Sequence, residues 1–283
     1  MGKADLHIHS SASDGQLNPA ELLRKVKSKN ISTVSITDHD TIKGYLEAKK
    51  IAPELGIKLI PGVEITSLWN GREVHLLAYN FRDDDEDFLL LLNRHKVARR
   101  KRMHSIVDQL NKNGVDIDYD EIRAESRSGN IGRPHAATVL INKGYVASVP
   151  EAFIRYLSAE KIATIKTNYA GIDEVVAATK KAGGIISLAH PGPLYSDDDM
   201  DQLLSFGLDG IECIHPSHRF AVQKKFTSLA KTRNLLITGG SDYHGTGKSE
   251  YDPFLGIVTV SLRHVDALIR TSLNRKKTIK SLN

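Results

Sequence analysis

Histidine and aspartate alternate in short runs near both ends of the chain. His7 and His9 close one apolar run, and Asp242 and His244 follow another. In an extended segment residues i and i+2 point to the same face, so each pair can present two side chains next to each other. Imidazoles and carboxylates without thiolates are suitable ligands for Zn²⁺, Mn²⁺ or Fe²⁺. The two runs therefore predict a metal site at the ends of strands.

Other histidines and carboxylates also follow apolar runs. The nine predicted metal ligands are His7, His9, Asp14, His39, Glu64, His75, His190, Asp242 and His244. A single metal takes three or four protein ligands, so this set predicts two or three divalent ions (Mn, Fe or Zn), with at least one bridging carboxylate. For any one of these histidines a structural role is the simpler interpretation. The set as a whole favours a metal centre.

Strand-like and helical segments alternate along most of the chain, which predicts an α/β fold with a mostly parallel sheet. The strand-like runs are 4–8, 31–37, 58–66, 73–79, 184–189, 209–214 and 235–241, and segments such as 42–55 show helical periodicity. Candidate ligands follow nearly all of these seven runs. Because only a closed sheet brings every strand end around one centre, we predict a barrel instead of an open doubly wound sheet.

The alternation stops between Asp83 and Lys166. This stretch predicts several helices, at about 86–113, 119–126, 133–143 and 149–157. We interpret 83–166 as a helical insertion over the mouth of the barrel, which is then formed by 1–82 and 167–283. The alternative is a long connection elsewhere on the barrel.

Composition limits the class of protein. The net charge of +5 favours an anionic substrate, although much of the excess lies in two segments predicted to be solvated, Arg94–Arg102 and the basic tail Arg270–Lys280. Cys213, the one cysteine, excludes an internal disulfide and lies in an apolar run, which predicts a buried structural thiol. No apolar run reaches the roughly 18 residues of a membrane span, and no signal peptide is recognised. We expect a cytoplasmic protein without a membrane segment or an obligate protein partner.

The motifs around the candidate ligands resemble those of the PHP (polymerase and histidinol phosphatase) family. They are His7-x-His9 with Asp14, then 37–41 (TDHDT), 61–64 (PGVE), 189–192 (AHPG) and 240–244 (GSDYH). Within the family, the chain is similar to bacterial phosphoesterases that act on nucleoside 3′,5′-bisphosphates and short RNA. The resemblance implies a distorted seven-stranded barrel of the (β/α)7 type with a three-metal centre on its carboxyl-terminal side.

The resemblance also implies how the ligands divide among three metals. The first metal would take His7, His9, Glu64 and Asp242, the second Glu64, His75 and His190, and the third Asp14, His39 and His244.

Two features favour the nucleotide-acting group of the family. Asp14 stands where histidinol phosphate phosphatases typically have a further histidine. The segment 131–135 resembles an Arg-x-His motif, so Arg133 and His135 are candidate phosphate ligands, because a guanidinium can bind phosphate bidentately. The alternative is a simple helix start, with Pro134 in its first turn and Arg133 in solvent.

Three more residues are candidates for contact with the substrate or support of the site. Lys166 could reach a phosphate, but its segment departs from the pattern of the nucleotide-acting relatives, which leaves recognition of the second phosphate or the base open. His218 is predicted to face the substrate and to protonate the leaving oxygen, with a metal-held water as the alternative acid. His215 is predicted to support the same loop.

Together these residues predict a metal-dependent phosphoesterase. Water shared between two divalent ions would attack phosphorus, and Arg133 would balance the charge on the phosphoryl oxygens. The predicted substrate is a nucleoside 3′,5′-bisphosphate that loses its 3′-phosphate, with short 5′-phosphorylated RNA as a further candidate. The alternatives are a small-molecule phosphatase, such as one for histidinol phosphate, and a non-catalytic, metal-stabilised nucleic-acid-binding domain.

Overall fold

The computed structural model describes residues 2–246 and 251–282, and within these ranges the strands form two sheets. The first sheet has the order β3-β2-β1-β9 and the second the order β4-β5-β6-β7-β8. The strands are β1 Lys3–Ile8, β2 Ile31–Ile36, β3 Lys58–Ile60, β4 Gly62–Trp69, β5 Arg72–Tyr79, β6 Ile185–Leu188, β7 Gly210–Ile214, β8 Leu236–Gly239 and β9 Val260–Ser261.

Ten α-helices surround the sheets in the described part of the chain. They are α1 Pro19–Ser28, α2 Lys43–Ala48, α3 Glu86–Lys112, α4 Tyr119–Glu125, α5 Arg133–Asn142, α6 Val149–Ala152, α7 Ile172–Lys181, α8 Asp197–Ser205, α9 Phe220–Thr232 and α10 Leu262–Leu282. A π-helical turn, Phe153–Leu157, continues α6. No helix among the described residues is long and apolar enough to cross a bilayer.

The two sheets contact each other along both edges. On one side, the end of β1 pairs with the segment that follows β8. The Asp242 N–H donates to the His7 carbonyl (2.8 Å), and the His9 N–H donates to the Tyr243 carbonyl (2.9 Å). On the other side, His39 and Glu64 form an isolated parallel bridge. The predicted α/β fold is confirmed. A single closed seven-stranded barrel is not, because the described strands pair as two sheets joined by these short bridges.

The predicted strand 58–66 is divided at Pro61. β3 pairs in parallel with β2, whereas β4 pairs in antiparallel with β5. Pro61 has no N–H to donate to either ladder, and its carbonyl accepts from the Asn80 N–H (2.8 Å). At Gly62 a Cβ would lie 1.9 Å from the Ser35 Oγ, so glycine is needed where the chain passes from one sheet to the other.

A tight turn makes β4 and β5 antiparallel. Asn70 (φ 49°) and Gly71 (φ 74°) form the two-residue link, and Asn-Gly is the preferred pair where both turn residues need positive φ. β5 also pairs in antiparallel with β6. The sheet that contains most of the candidate site is therefore mixed, not mostly parallel. The predicted helix 42–55 is also shorter, because α2 ends at Ala48 and turns lead through Pro53 to Gly56.

The four predicted helices of the 83–166 stretch are observed close to their predicted positions. They pack around a hydrophobic cluster of their own, separate from the clusters under the sheets, which includes Met103, Ile106, Ile122, Leu140 and Leu157. Asp85 caps the first of them, α3, by accepting from the Phe88 N–H (3.1 Å).

The predicted basic tail is instead part of helix α10, which packs on the sheets. Val265 and Leu268 are buried in the cluster under β1 and β6. The Ser272 hydroxyl contacts the Asn80 and Gly183 carbonyls (3.0 and 2.8 Å), and the Arg275 Nη2 lies 2.6 Å from the Asp209 Oδ1. The expectation of a solvated tail is wrong for this face, because the apolar residues and Arg275 recur at helical spacing.

Candidate metal centre

The nine predicted ligands converge at the edge where the two sheets meet, and Glu64 lies at their middle. The Glu64 Oε2 is 3.2 Å from the His7 Nε2 and 3.3 Å from the His9 Nε2. Its other oxygen, Oε1, is 2.8 Å from the His75 Nδ1 and 3.0 Å from the His190 Nε2. One carboxylate therefore faces two sets of imidazoles, as the predicted bridging ligand requires.

Asp14 is the centre of a second set of imidazoles. Its carboxylate oxygens lie 3.5 Å from the His244 Nε2, 3.7 Å from the His39 Nε2 and 3.7 Å from the His9 Nδ1. Asp242 joins this set to the Glu64 set, because its Oδ1 is 3.1 Å from the His9 Nε2. All nine residues thus form one continuous cluster.

In the described part of the chain, the ligand atoms within 4.8 Å of one another form four overlapping groups. These are His9, Asp14, His39 and His244; His7, His215 and Asp242; His7, Glu64 and His190; and His39, Glu64 and His75. The first contains the whole set that the resemblance implies for the third metal. His215 is an addition to the predicted ligands, and the division of ligands among individual ions stays a prediction.

Sharp backbone turns orient two of these side chains. Asp242 (φ 51°) and His190 (φ 25°) both have positive φ just after β8 and β6. L-residues rarely adopt this conformation outside glycine, asparagine and aspartate, and such strained residues concentrate at functional sites. Each turn redirects the chain at the strand end, where the ligand leaves the sheet.

The chemistry of the cluster suits divalent cations. The His39 Nδ1 and His75 Nδ1 are buried close to the Glu64 carboxylate, but their angles to it do not allow a hydrogen bond, although buried polar atoms are normally paired. Burial lowers the pKa of His39 to about 3, which keeps this imidazole in the neutral form that binds metals. Burial opposes charge on Glu64, yet the surrounding imidazoles hold its pKa well below its usual range, which keeps this carboxylate ionised. Burial also opposes charge on His9, but its contacts with Asp242 and Glu64 raise its pKa to about 10, so a bound cation would displace a proton from this imidazole.

Sequence analysis missed Glu212, which lies directly behind the ligands. It is fully buried, its Oε1 is 3.0 Å from the His7 Nδ1, and its Oε2 accepts from the His190 N–H at 2.8 Å. A carboxylate inside an apolar strand such as β7 was the available signal, because charged side chains are rarely fully buried without a partner. Glu212 fixes the ring orientation of one ligand and the backbone of another.

A cavity of about 180 Å³ adjoins one side of the ligand cluster. His39, His75 and His244 line it on the cluster side, and Arg99, Arg102 and Arg133 line it from the helical segment. Met103, Ile106, Phe153 and Tyr169 complete the wall with apolar and aromatic surface. The cavity therefore lies between the ligand cluster and a surface of cationic and aromatic side chains.

The prediction that the run Arg94–Arg102 is solvated is correct for only some of its residues. The side chains of Arg99 and Arg102 are each only 12% exposed, whereas Arg100 and Lys101 are exposed. The Arg99 Nη2 lies 2.6 Å from the Asp40 Oδ2, and Arg102 forms an ion pair with Glu73. Helical spacing explains the division, because residues three or four apart in α3 lie on the same face.

Arg133 lines the cavity, and its solvated interpretation is wrong. Its Nη2 lies 3.5 Å from the Glu73 Oε2, its Nη1 donates to the Leu157 carbonyl (3.3 Å), and its guanidinium lies 5.5 Å from the centre of the Phe153 ring. Pro134 does lie in the first turn of α5, as the alternative required. His135 is buried next to Arg133, but it is not among the residues that line the cavity, and its Nδ1 accepts from the Gly132 N–H (3.0 Å).

Two predicted substrate contacts lie elsewhere. Lys166 is exposed and does not line the cavity; Tyr169 occupies the wall nearby in the sequence. The His218 ring is buried, its Nε2 accepts from the Gly192 N–H (2.9 Å), and its Nδ1 donates to the Cys213 carbonyl (3.1 Å). With both ring nitrogens bonded to backbone, His218 supports the loop and is not placed to protonate a leaving group. Its neighbour His215 instead reaches the cluster, 3.3 Å from the Asp242 Oδ2.

Cys213 is buried within β7, as predicted. Burial raises the pKa of its thiol to about 12, so the thiol stays protonated at neutral pH. This agrees with a structural thiol and not with a nucleophile.

Comparison with known proteins agrees with this chemistry. The PHP domain matches residues 5–190. A 5′-3′ exoribonuclease of Haemophilus influenzae is 36% identical over 247 residues, which cover 86% of this chain and 90% of that protein. A 3′,5′-nucleoside bisphosphate phosphatase of Chromobacterium violaceum is 28% identical over 258 residues, which cover 89% of this chain and 90% of that protein.

A solved structure shows the same fold over nearly the whole chain. The crystal structure of a protein from Bifidobacterium adolescentis, described as a candidate metal-dependent phosphoesterase, superposes with a TM-score of 0.86 and 31% identity. The match covers 95% of this chain and 96% of that one. The matched family, the relatives and the ligand cluster agree: this chain belongs to the PHP domain family of metal-dependent phosphoesterases.

Proposed function

We propose that this protein hydrolyses phosphoesters of nucleotides that also carry a 5′-phosphate. The substrates would be nucleoside 3′,5′-bisphosphates, from which it removes the 3′-phosphate, and short 5′-phosphorylated RNA. The observation that carries the proposal is the cavity, which is lined by metal-ligand candidates on one side and by Arg102 and Arg133 on the other. A substrate with phosphates on the 3′ and 5′ positions of one nucleoside fits this site, because the metal-ligand candidates and the arginines form two separate ends that can each bind a phosphate. The names of the two relatives support the same substrate class.

Two or three divalent ions, Mn, Fe or Zn, would be held by the nine clustered ligands, with Glu64 shared between ions. Bound ions of this kind polarise a phosphoryl group and lower the pKa of water to about 7. The ligand set supports these metals because it offers only imidazole and carboxylate atoms.

The protein's own groups would orient the substrate and keep water out. Arg133 is already oriented by Glu73, Leu157 and Phe153, so little side-chain freedom is lost when it binds a phosphate. Met103, Ile106 and Phe153 present apolar surface to the sugar or base and exclude water from the cavity. A drier cavity strengthens the attraction between the guanidiniums and an anionic substrate.

The helical segment 83–166 would act as the cap that completes this site, between sheet portions 1–82 and 167–283. Three contacts support this role: Arg99 binds Asp40, the Ser128 hydroxyl donates to the Ala12 carbonyl (2.8 Å), and the Asn130 side chain donates to the His39 carbonyl. The two sheets and their bridges would correspond to the distorted seven-stranded barrel of the family.

One screen tests the substrate class. Phosphate release would be measured with Mn²⁺ from adenosine 3′,5′-bisphosphate, 5′-AMP, histidinol phosphate and a 5′-phosphorylated RNA oligomer. We expect release from the bisphosphate with 5′-AMP accumulating, and mononucleotides from the RNA. A preference for histidinol phosphate would favour a small-molecule phosphatase. No hydrolysis of any compound, with RNA binding retained, would favour a non-catalytic binding domain.

A further inference from the structure

Glu73 lies between two guanidiniums in the wall of the cavity. It forms an ion pair with Arg102, and its Oε2 is 3.5 Å from the Arg133 Nη2. Glu73 lies two residues before His75 in β5, so both side chains extend from the same face of the strand. This places the carboxylate and its two arginines next to the metal cluster.

Two donor atoms of residues that line this cavity make no hydrogen bond. The Arg102 Nε and the Tyr169 hydroxyl are both buried without a hydrogen-bond partner. Their residues both line the cavity, from α3 and from the segment before α7. Buried donors are normally paired, and an anion with several oxygens is the kind of ligand that could satisfy both.

The charges around Glu73 also favour an anion. Arg99 is balanced by the Asp40 carboxylate, whereas Arg102 and Arg133 share the single carboxylate of Glu73. The pair therefore keeps one positive charge uncompensated in a largely buried position. A phosphate monoester carries about −1.5 to −2 at pH 7 and offers three acceptor oxygens, which matches this charge and these donors.

We infer that Arg102, with Tyr169 beside it, is a specificity-determining contact for the non-reacting phosphate of the substrate, and that Glu73 holds Arg102 and Arg133 in position to receive that phosphate. The inference rests on the proposed function, and it adds residues from the arginine run and the cavity wall to Arg133. A monoester without the second phosphate makes no use of this contact.

The test compares adenosine 3′,5′-bisphosphate with 3′-AMP, which has the reacting phosphate but lacks the 5′-phosphate. Arg102→Met should lower kcat/KM for the bisphosphate by roughly 10- to 100-fold, as expected for a lost charged hydrogen bond. It should lower kcat/KM for 3′-AMP by a clearly smaller factor, so that the ratio of the two values falls. Arg102→Lys should recover part of the loss because it restores the charge, and Tyr169→Phe should reduce the same preference to a smaller degree.

Arg100→Met is the matched control, since it removes an exposed arginine from the same helix and should leave both substrates unaffected. A second readout does not depend on turnover: the Kd of 5′-AMP, measured by calorimetry, should rise in Arg102→Met, whereas the Kd of adenosine should not. Equal losses on the bisphosphate and 3′-AMP would overturn the inference, because they indicate a change in the fold or the metal cluster. An unchanged preference with an unchanged Kd for 5′-AMP would also overturn it.

The two proposals fail in different ways. If the unaltered protein hydrolyses neither nucleotide, the proposed function fails, and the calorimetric comparison still decides whether Arg102 binds the phosphate. If the unaltered protein prefers the bisphosphate and Arg102→Met keeps that preference, the proposed function stands and the role of Arg102 is rejected.

Discussion

His39 and Glu64 meet where the two sheets join: their backbones form a parallel bridge, and the His39 Nδ1 lies 3.3 Å from the Glu64 Oε2. The contact that connects the sheets is therefore also part of the candidate metal centre. Because Glu64 follows Pro61 and Gly62 at the start of β4, the change of sheet determines where the central carboxylate lies. Fold and site depend on the same few residues.

Glu64→Gln should be among the most damaging substitutions in the protein. It keeps the side-chain volume but removes the charge that faces five histidines, so we expect a loss of at least one bound metal ion per chain. Turnover should fall by at least about 100-fold, the upper range for disturbed support of metal ligands. Elemental analysis of protein purified without chelator, together with phosphate release, measures both effects.

Glu54→Gln removes the same charge at an exposed position in the turns after α2 and serves as the control. If Glu64→Gln kept its metal content and near-normal turnover, Glu64 would not be the bridging ligand.

Removing the metals should lower the melting temperature. The carboxylates of Asp14, Glu64 and Asp242 are buried close together, and bound cations would compensate their charge. An ion present at about 100 times its Kd contributes about 2.7 kcal/mol. For a protein of this size that corresponds to a decrease of roughly 5–10 °C in Tm after chelation, reversed by Mn²⁺ or Zn²⁺. A thermal melt with and without chelator gives the shift, and Glu64→Gln should reduce it. A metal-free protein with an unchanged Tm would contradict the prediction.

The candidate metal ligands could be predicted from the sequence because the spacing that identifies them is local. His7 and His9, or Asp242 and His244, are two residues apart next to apolar runs, and alternation in a strand alone places each pair together. Convergence of distant pairs followed from the rule that ligands gather at strand ends. Helical spacing of 3.6 residues per turn, which is also local, separates the partly buried Arg99 and Arg102 from the exposed Arg100.

The rest depended on the path of the chain between elements. Asn70-Gly71 is a strong hairpin signal, but the alternation of strands and helices along the chain predicts a mostly parallel sheet and does not include this antiparallel pair. His215 and His218 are in one loop, and only the turn between them decides which ring reaches Asp242. Neither strand alternation nor helical spacing applies in such a loop.

Glu212→Gln should weaken metal binding without removing any ligand. The carboxylate accepts from the His7 ring and from the His190 N–H, which fixes the ring so that the His7 Nε2 faces Glu64. Loss of such support typically costs 10- to 100-fold in metal affinity. Titration of the metal-free protein with Zn²⁺ or Mn²⁺ measures the Kd directly, and Glu212→Asp should be similarly weakened because its carboxylate is withdrawn by one methylene. Wild-type affinity in both variants would show that Glu212 has no part in positioning His7.

Arg275→Ala should destabilise the whole fold, because this side chain is one of the contacts that attach α10 to the sheets. Its Nη1 and Nη2 lie 2.9 and 2.6 Å from the two oxygens of Asp209, and Nη1 also donates to the Gly184 carbonyl. The guanidinium is only 20% exposed, so we expect a loss of about 1–3 kcal/mol, the cost of leaving a charged partner unpaired. Urea unfolding measures this change, and the exposed Arg270→Ala is the control with the same loss of charge from the same helix. Equal stability of the two variants would mean that the tail is as solvated as its composition suggested.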